Sequence, residues 1–208
     1  MTARARIIDA AVEVFAEHGS TASIRTIATA AGVSPALITH HFGTKEALKA
    51  ECDERVLDAY TEMKLLGVAD PITSMNVVDQ SDPSMAGRMA LLSGYLLRSF
   101  LDGGASARQF FEHLVMRTNE IMSAAAAKNM VRPECADADH VRYLAASNLG
   151  FMLVQFVTDP PVTAVGFYEQ VLARPSLMEA MLDVLTHGVF VDDQVLAGYR
   201  NATNKKEK

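Results

Sequence analysis

The sequence predicts an all-α protein, with a small N-terminal unit followed by a larger helical body. Apolar residues recur at spacings of three, four and seven along most of the chain. No segment sustains the alternation of a strand, and several Ser and Thr residues stand where helices would begin. We expect a three-helix domain in residues 1–50, a helical body in residues 51–200 and a flexible tail in residues 201–208.

The composition indicates a globular chain without a membrane span. Of the 208 residues, 50% are apolar and 21% are charged, which argues against disorder. No apolar run reaches the roughly 18 residues that a membrane helix needs, and the charged N-terminus lacks a signal-peptide pattern. Cys52 and Cys135 lack CxxC spacing, so a cytoplasmic protein with reduced thiols is predicted.

Short helices are marked by their ends in the N-terminal third. Residues 3–18 predict a first helix, which Gly19 ends. Ser23 caps a second helix from Ile24 to about Ala31. A Ser-Pro pair after the next glycine starts a third helix, which runs to about residue 42.

A fourth helix leads into the body. Thr44 caps it, and the apolar pattern continues to about Leu66. A polar stretch at 67–84 interrupts the pattern. The helical segments expected beyond it cover residues 84–102, 106–129, 138–158, 164–173 and 176–190.

The second and third helices have the spacing of a helix-turn-helix. Ala28 is small enough to lie where the two helices cross, and Gly32 tolerates the positive φ of the tight turn. Val33 and Ile38 would fill the space between the helices. The version of this motif that binds DNA places its second helix in the major groove.

The stretch "SIRTIATAAGVSPALITHHFGTKEAL" resembles the N-terminal domain of TetR-family transcriptional regulators, over roughly residues 3–55. This resemblance implies an all-α homodimer that binds an operator and releases it on binding a small molecule. We therefore expect a repressor on a palindromic operator, with a small apolar or amphipathic molecule as its effector. The matching residues are Ile24-Arg25, Ile27-Ala28, Ala31-Gly32-Val33-Ser34, His41-Phe42 and Lys45-Glu46-Ala47-Leu48.

The net charge of −6 does not suggest a general DNA binder, but the motif itself is locally basic. Arg25 and Lys45 are the only formal charges in residues 24–45. Arg25 resembles the family position that reaches a guanine or the adjacent phosphate. Because it is the one bidentate donor of the motif, we expect it to carry sequence specificity.

The remaining DNA contacts are expected from the third helix and its flanks. Its first residues are apolar, which favours contacts to thymine methyl groups. Thr39 stands where the family often has an aromatic residue, and Ser20 replaces a second one. The predicted contact set is Arg25, Ser34, Pro35, Ala36, Leu37, Thr39, His40, Thr44 and Lys45. Ser34, His40 and Lys45, the last at the helix start that Thr44 caps, would bind phosphate, and Thr39 would bind a phosphate or contact a thymine methyl group.

His40 and His41 are adjacent, and adjacent residues on a helix do not share a face. They therefore do not predict a metal site. We expect His40 to face DNA and His41 to be a hydrogen-bonded core residue. Neither a metal nor a cofactor is predicted.

The body suggests an effector pocket from its aromatic, Met and charged residues. Met-rich surfaces adapt to varied apolar ligands, and Arg117 or His113 could bind a polar group. The alternative is that these charged residues form salt bridges between helices. The predicted pocket consists of Met63, Leu66, Tyr95, Phe100, Phe110, His113, Met116 and Arg117.

A homodimer interface is expected from the last long helices, which by resemblance build a four-helix interface. Asn148 and Gln155 lie seven apart, so both face one way, either into a pocket or into an interface whose register they would set. An apolar stripe completes the predicted interface with Leu177, Met181, Val184, Leu185 and Gly188.

Two other classes of function compete with a regulator. An enzyme is disfavoured, because the sequence has no P-loop, no GxSxG and no HExxH pattern. A protein-interaction module with a degenerate DNA-binding fold stays open because of the low basic charge. So does a constitutive regulator without a ligand.

Overall fold

The computed structural model describes residues 2–69, 83–160 and 174–204. Every regular element in these residues is helical, which confirms the predicted fold class. Two 3-10 turns, Gly19–Thr21 and Pro133–Ala136, lie between longer helices. The helices are α1 (Ala3–His18), α2 (Ile24–Ala31), α3 (Pro35–Phe42), α4 (Lys45–Ala69), α5 (Pro83–Leu101), α6 (Gly104–Ala127), α7 (Ala138–Thr158), α8 (Pro175–His187) and α9 (Gln194–Asn204).

The three predicted caps are present. The side-chain oxygen of Ser23 accepts the Thr26 N–H at 3.1 Å, and that of Ser34 accepts the Leu37 N–H at 3.2 Å. The side-chain oxygen of Thr44 accepts the Ala47 N–H, in the first turn of α4, at 3.1 Å. Each cap stabilises its helix by about 1 kcal/mol. The short helices therefore begin where local chemistry predicts.

One buried core joins the N-terminal unit (α1–α3) to α4, α5 and α6. Ile7, Ile27 and Leu48 are fully buried in it, together with Tyr95 and Phe110 from the body. Burying a side chain of this size contributes about 1.5–3 kcal/mol. The core therefore does not stop at residue 50, where the sequence suggests a domain boundary.

Packing divides the chain into two compact units, Met1–Val171 and Leu172–Lys208. The second unit contains α8 and α9, and α8 has no buried residue. Because α9 extends to Asn204, the predicted tail begins as a helix. The expected helix at 164–173 and most of the stretch at 67–84 lie outside the described residues.

The described helices include none that is long and apolar enough to cross a membrane. Across the same ranges, no group of three or more His, Cys, Asp or Glu side chains is arranged to hold a metal ion.

The Cys52 thiol is fully buried on α4, 3.9 Å from the Ile8 carbonyl oxygen. Burial, followed by the nearby Asp53 carboxylate, raises the pKa of this thiol from 9.0 to about 12. The unfolded chain then loses a proton above pH 9 that the folded chain keeps, so stability falls as the pH rises. We expect this thiol to cost about 1.4 kcal/mol for each pH unit above its ordinary pKa, until its folded value is reached.

The measurement is urea unfolding at about pH 8 and about pH 10. Cys52→Ala is expected to lose less stability than the parent between these two conditions, because other titrating groups are common to both proteins. Cys135→Ser, at a partly exposed position, is the control. It should lose as much stability as the parent between the two pH values. Equal losses in the parent and Cys52→Ala would contradict the assignment.

Candidate nucleic-acid interface and effector region

The turn between α2 and α3 has the geometry that the sequence predicts. Gly32 adopts the left-handed conformation, with φ 63° and ψ 39°. The Val33 N–H donates to the Ala28 carbonyl at 3.0 Å, which closes the end of α2. Ala28 and Ile38 are buried between the helices, at 2% and 1% exposure. The inner face of α3 is therefore held in place by packing.

The outer face of α3 is exposed and carries most of the predicted base contacts. Pro35, Ala36, Thr39 and His40 are exposed, whereas Leu37 is half-buried and packs against the core. Leu37 is thus shared between packing and any contact with DNA.

The expectation that His41 is a core residue is wrong, because its side chain is exposed. Ile38 and Phe42 supply the buried face of this short helix. The His41 ring instead packs edge-on against the neighbouring Phe42 ring, with centroids 6.1 Å apart.

The hydroxyl groups of the motif differ in whether their hydrogen is already used in a hydrogen bond. Ser34 and Thr44 accept cap hydrogen bonds, so each hydroxyl hydrogen remains available to donate to a phosphate. Thr39 already donates its hydroxyl to the Pro35 carbonyl at 3.3 Å. Its methyl group is therefore the part that suits contact with DNA.

The two cations of the motif have different surroundings. Arg25 is exposed and makes no ion pair with any residue that the structure describes. Lys45 is partly buried, and its ammonium donates to the carbonyls of Ser20 at 2.6 Å and Ala22 at 3.1 Å. Two of its three donors thus tie α4 to the turn after α1, which leaves less for a phosphate.

The turn after α1 is also held by the end of α5. The Asp102 carboxylate accepts the Ser20 N–H at 2.9 Å. Gly19 has φ 60° and ψ −156°, a conformation almost restricted to glycine, and a Cβ there would lie 2.8 Å from an Asp102 oxygen. The N-terminal unit is therefore bonded to both α4 and α5.

Sequence reasoning missed Arg4 at the start of α1. Its guanidinium lies 5.2 Å from the centroid of the Phe42 ring and pairs with the Glu51 carboxylate. These contacts join the first turn of α1 to the end of α3 and to α4. No motif predicts them, because the three residues are far apart in sequence.

The structure does not bring the eight predicted pocket residues together. Tyr95 and Phe110 are buried in the core, and Phe100 packs edge-on against the Phe110 ring at 6.0 Å. Met63 is half-buried against that core, while Leu66 is 62% exposed.

The other three predicted pocket residues line a shallow surface depression between α4 and α6. It has a volume of about 210 Å³ and is lined by Glu54, His113, Met116, Arg117 and Glu120. The imidazole of His113 lies 2.8 Å from the Glu54 carboxylate, and Arg117 pairs with Glu54 and Asp58. These charged residues therefore form salt bridges between α4 and α6, which is the alternative to a pocket that the sequence leaves open.

The predicted interface residues are spread over α7, α8 and the residue that ends α8. Asn148 is exposed and Gln155 is half-buried. On α8, Leu177, Val184 and Leu185 are exposed by 37%, 47% and 62%. Met181 is half-buried and Gly188 is exposed.

Comparison with known proteins supports the same assignment as the motif. A family model described as "Bacterial regulatory proteins, tetR family" matches residues 7–52, and "Tetracyclin repressor-like, C-terminal domain" matches residues 88–191. The HTH-type transcriptional regulatory protein RaaS of Mycobacterium tuberculosis is 32% identical over 201 residues, which cover 92% of this chain and 89% of that protein. The chain belongs to the TetR family. It is a transcriptional regulator and not an enzyme.

Two solved structures have a similar fold over nearly the whole chain. The FadR regulator of Bacillus subtilis, in complex with stearoyl-CoA, has a TM-score of 0.53 and 19% identity, over 89% of this chain and 99% of that one. A putative fatty acid metabolism regulator of Clostridium perfringens has a TM-score of 0.52 and 15% identity. This match covers 90% of the present chain and 100% of the Clostridium chain. At these identities the likeness shows a shared fold alone.

Proposed function

We propose that this chain is a ligand-responsive repressor, which binds a palindromic operator as a homodimer and leaves it when a small apolar or amphipathic effector binds. The observation that carries the DNA-binding part is the outer face of α3. This face is exposed while the inner face is packed, as a helix that enters the major groove requires.

Each exposed residue of the motif suits a different part of the DNA. Arg25 can reach a guanine or a phosphate, because no carboxylate in the described ranges occupies its guanidinium. Pro35, Ala36 and the Thr39 methyl suit thymine methyl groups, with Leu37 at the edge of that surface. Ser34, Thr44 and His40 suit phosphates, and Lys45 would contribute its remaining donor.

The homodimer is supported by the apolar residues that α7 and α8 leave exposed. Val154 and Val157 on α7 are exposed by 57% and 61%, and the predicted polar pair Asn148 and Gln155 lies on the same helix. A helix such as α8, apolar and without a buried residue, requires a covering surface. A second copy would provide it through Leu177, Met181, Val184, Leu185 and Gly188.

The effector would bind in the body, residues 51–200, and act by favouring a conformation that fits the operator poorly. Long-chain acyl-CoA is the first class to test, because FadR of Bacillus subtilis was solved with stearoyl-CoA. Of the predicted pocket residues, Met63, Leu66 and Met116 retain apolar surface for an acyl chain.

The test is selection of bound DNA from a random pool by the purified full chain, at about 0.1 M salt, followed by sequencing. We expect an enriched inverted repeat, with half-sites spaced for a two-fold symmetric dimer. A folded protein that enriches no sequence would overturn the proposal. It would favour the interaction module instead, with which the net charge of −6 and the engaged Lys45 are consistent.

The effector is tested on the operator so obtained. Stearoyl-CoA is expected to release the protein from DNA, whereas free CoA, which lacks the acyl chain, should not. Release by neither compound would reject the acyl-CoA class but leave DNA binding intact. Failure of a wider panel of apolar compounds would favour a constitutive regulator.

A further inference from the structure

Lys49, on the second turn of α4, places its ammonium inside the protein. Its side chain is 16% exposed. The ammonium donates to the Asp53 carboxylate at 2.6 Å and to the buried Ser99 hydroxyl at 2.9 Å. The phenol of Tyr95 donates to the same Asp53 oxygen at 2.8 Å. The ammonium is thus paired and hydrogen-bonded, as a buried charge must be.

Three aromatic rings surround this ammonium. It lies 4.6 Å from the centroid of Tyr95, 5.6 Å from that of Phe110 and 5.8 Å from that of Phe15. Each distance is within the range of a cation–π contact. We call the surroundings of Lys49 the Lys49 cage, which consists of Phe15, Asp53, Tyr95, Ser99 and Phe110.

The Lys49 cage takes residues from four helices. Phe15 belongs to α1 of the N-terminal unit, and Phe110 belongs to α6 of the body. Tyr95 and Ser99 come from α5, two turns and one turn before Asp102, which holds the turn after α1. The ammonium therefore lies where the N-terminal unit, α4 and the body meet.

Stability alone is a poor explanation for a charge at this position. An apolar pair of similar volume would fill the same space, and replacing buried ion pairs in this way is often neutral or stabilising. An apolar pair makes no directional contacts. The ammonium, in contrast, must point at the carboxylate, the hydroxyl and the rings together. The caged ammonium thus adds directional contacts between α4 and its neighbours.

The pair also differs from the surface ion pairs of the chain. Arg88 and Glu62, which likewise involve α4, are 48% and 70% exposed and lie 3.3 Å apart. Exposed pairs of that kind contribute little to structure.

We propose that Lys49 is a positioning residue, whose caged ammonium holds the N-terminal unit in the orientation that binds the operator. This inference rests on the proposed function. Without the ammonium, the two N-terminal units of a dimer would sample more orientations. Only a fraction of them would fit both half-sites, and the apparent affinity falls by that fraction.

The first variant is Lys49→Met, which keeps most of the side-chain volume but removes the charge. We expect operator affinity to fall about tenfold, as a drop of the competent fraction to about one tenth would produce. Lys128→Met is the matched control. That ammonium bonds the Val68 carbonyl at 3.2 Å, away from the Lys49 cage, so its loss should leave the affinity unchanged.

Lys49→Met leaves the Asp53 carboxylate unpaired and could unfold the chain, so a second variant removes both charges. Lys49→Met with Asp53→Leu leaves the Tyr95 phenol without its carboxylate acceptor, so this variant should be less stable than the parent but still folded, and it should bind the operator about tenfold more weakly. Parent-like affinity in this double variant would overturn the proposal. A parent protein that binds no selected DNA would instead reject the proposed function.

Chemical rescue separates positioning from simple packing. Lys49→Ala removes the Cγ, Cδ, Cε and Nζ atoms, and n-propylammonium has the same heavy atoms. We expect this cation to restore operator affinity in Lys49→Ala, whereas the neutral 1-propanol should not. Rescue by both compounds would assign Lys49 to packing alone.

Hydrogen exchange gives a readout that needs no DNA. In the double variant, the amides of residues 19–22, which contact α4 and α5, should exchange faster than in the parent, while those in the middle of α7 should not change. Equal acceleration across the chain would indicate general destabilisation and contradict the proposal.

Discussion

Arg25→Gln is expected to weaken binding to the selected operator by about 1–3 kcal/mol for each half-site. Arg25 is the exposed cation of the motif that no carboxylate engages within the described residues. A bidentate contact to guanine loses both hydrogen bonds when the guanidinium is removed. The variant should also accept other bases at the contacted position, which selection on a random pool would reveal.

Arg108→Gln is the control for this variant, because Arg108 is exposed on α6, outside the N-terminal unit. It removes the same charge and should leave operator binding unchanged. If Arg25→Gln weakens binding to all DNA sequences equally and lowers the salt dependence of that binding, then Arg25 binds phosphate rather than a base. Unchanged affinity would remove Arg25 from the interface.

Tyr95→Ala is expected to lower the free energy of unfolding by about 3–5 kcal/mol, the cost of removing a large buried ring. Tyr95 is fully buried, and its ring is the nearest of the three that surround the Lys49 ammonium. The cavity would form where α1, α4, α5 and α6 meet. Urea unfolding of the full chain, monitored by circular dichroism, measures the change.

Tyr95→Phe is the matched control, since it keeps the ring and removes only the hydroxyl that donates to Asp53. It should cost about 0.5–1.5 kcal/mol, as for a single hydrogen bond. The same pair of variants tests the prediction that Tyr95 lines an effector pocket. If Tyr95→Phe leaves stability unchanged but alters release by an effector, that prediction would be upheld and the structural role rejected.

Local chemistry was enough to predict the N-terminal unit. Ser23, Ser34 and Thr44 cap their helices, and Gly32 makes the turn, because each of these preferences acts within a few residues of the chain. The residues buried between α2 and α3 followed from the same spacing. Membership of the TetR family could therefore be inferred from about fifty residues.

The body was less predictable, because its aromatic and charged residues have several possible partners. Tyr95 and Phe110 were predicted to line a pocket, but they surround an ammonium. His113 and Arg117 bind carboxylates of α4. A helical period shows which residues share a face, but not which helix covers that face.

The sequence by itself therefore determined the helices, their ends and the DNA-binding motif, through interactions that are short in sequence. Only the tertiary structure decided that Lys49 is caged, that Lys45 bonds backbone carbonyls and that His41 is exposed. From the sequence, Lys49 and Asp53 look like an ordinary surface pair one turn apart. What places them inside is the packing of α1, α5 and α6 around α4, which brings together side chains from distant parts of the chain.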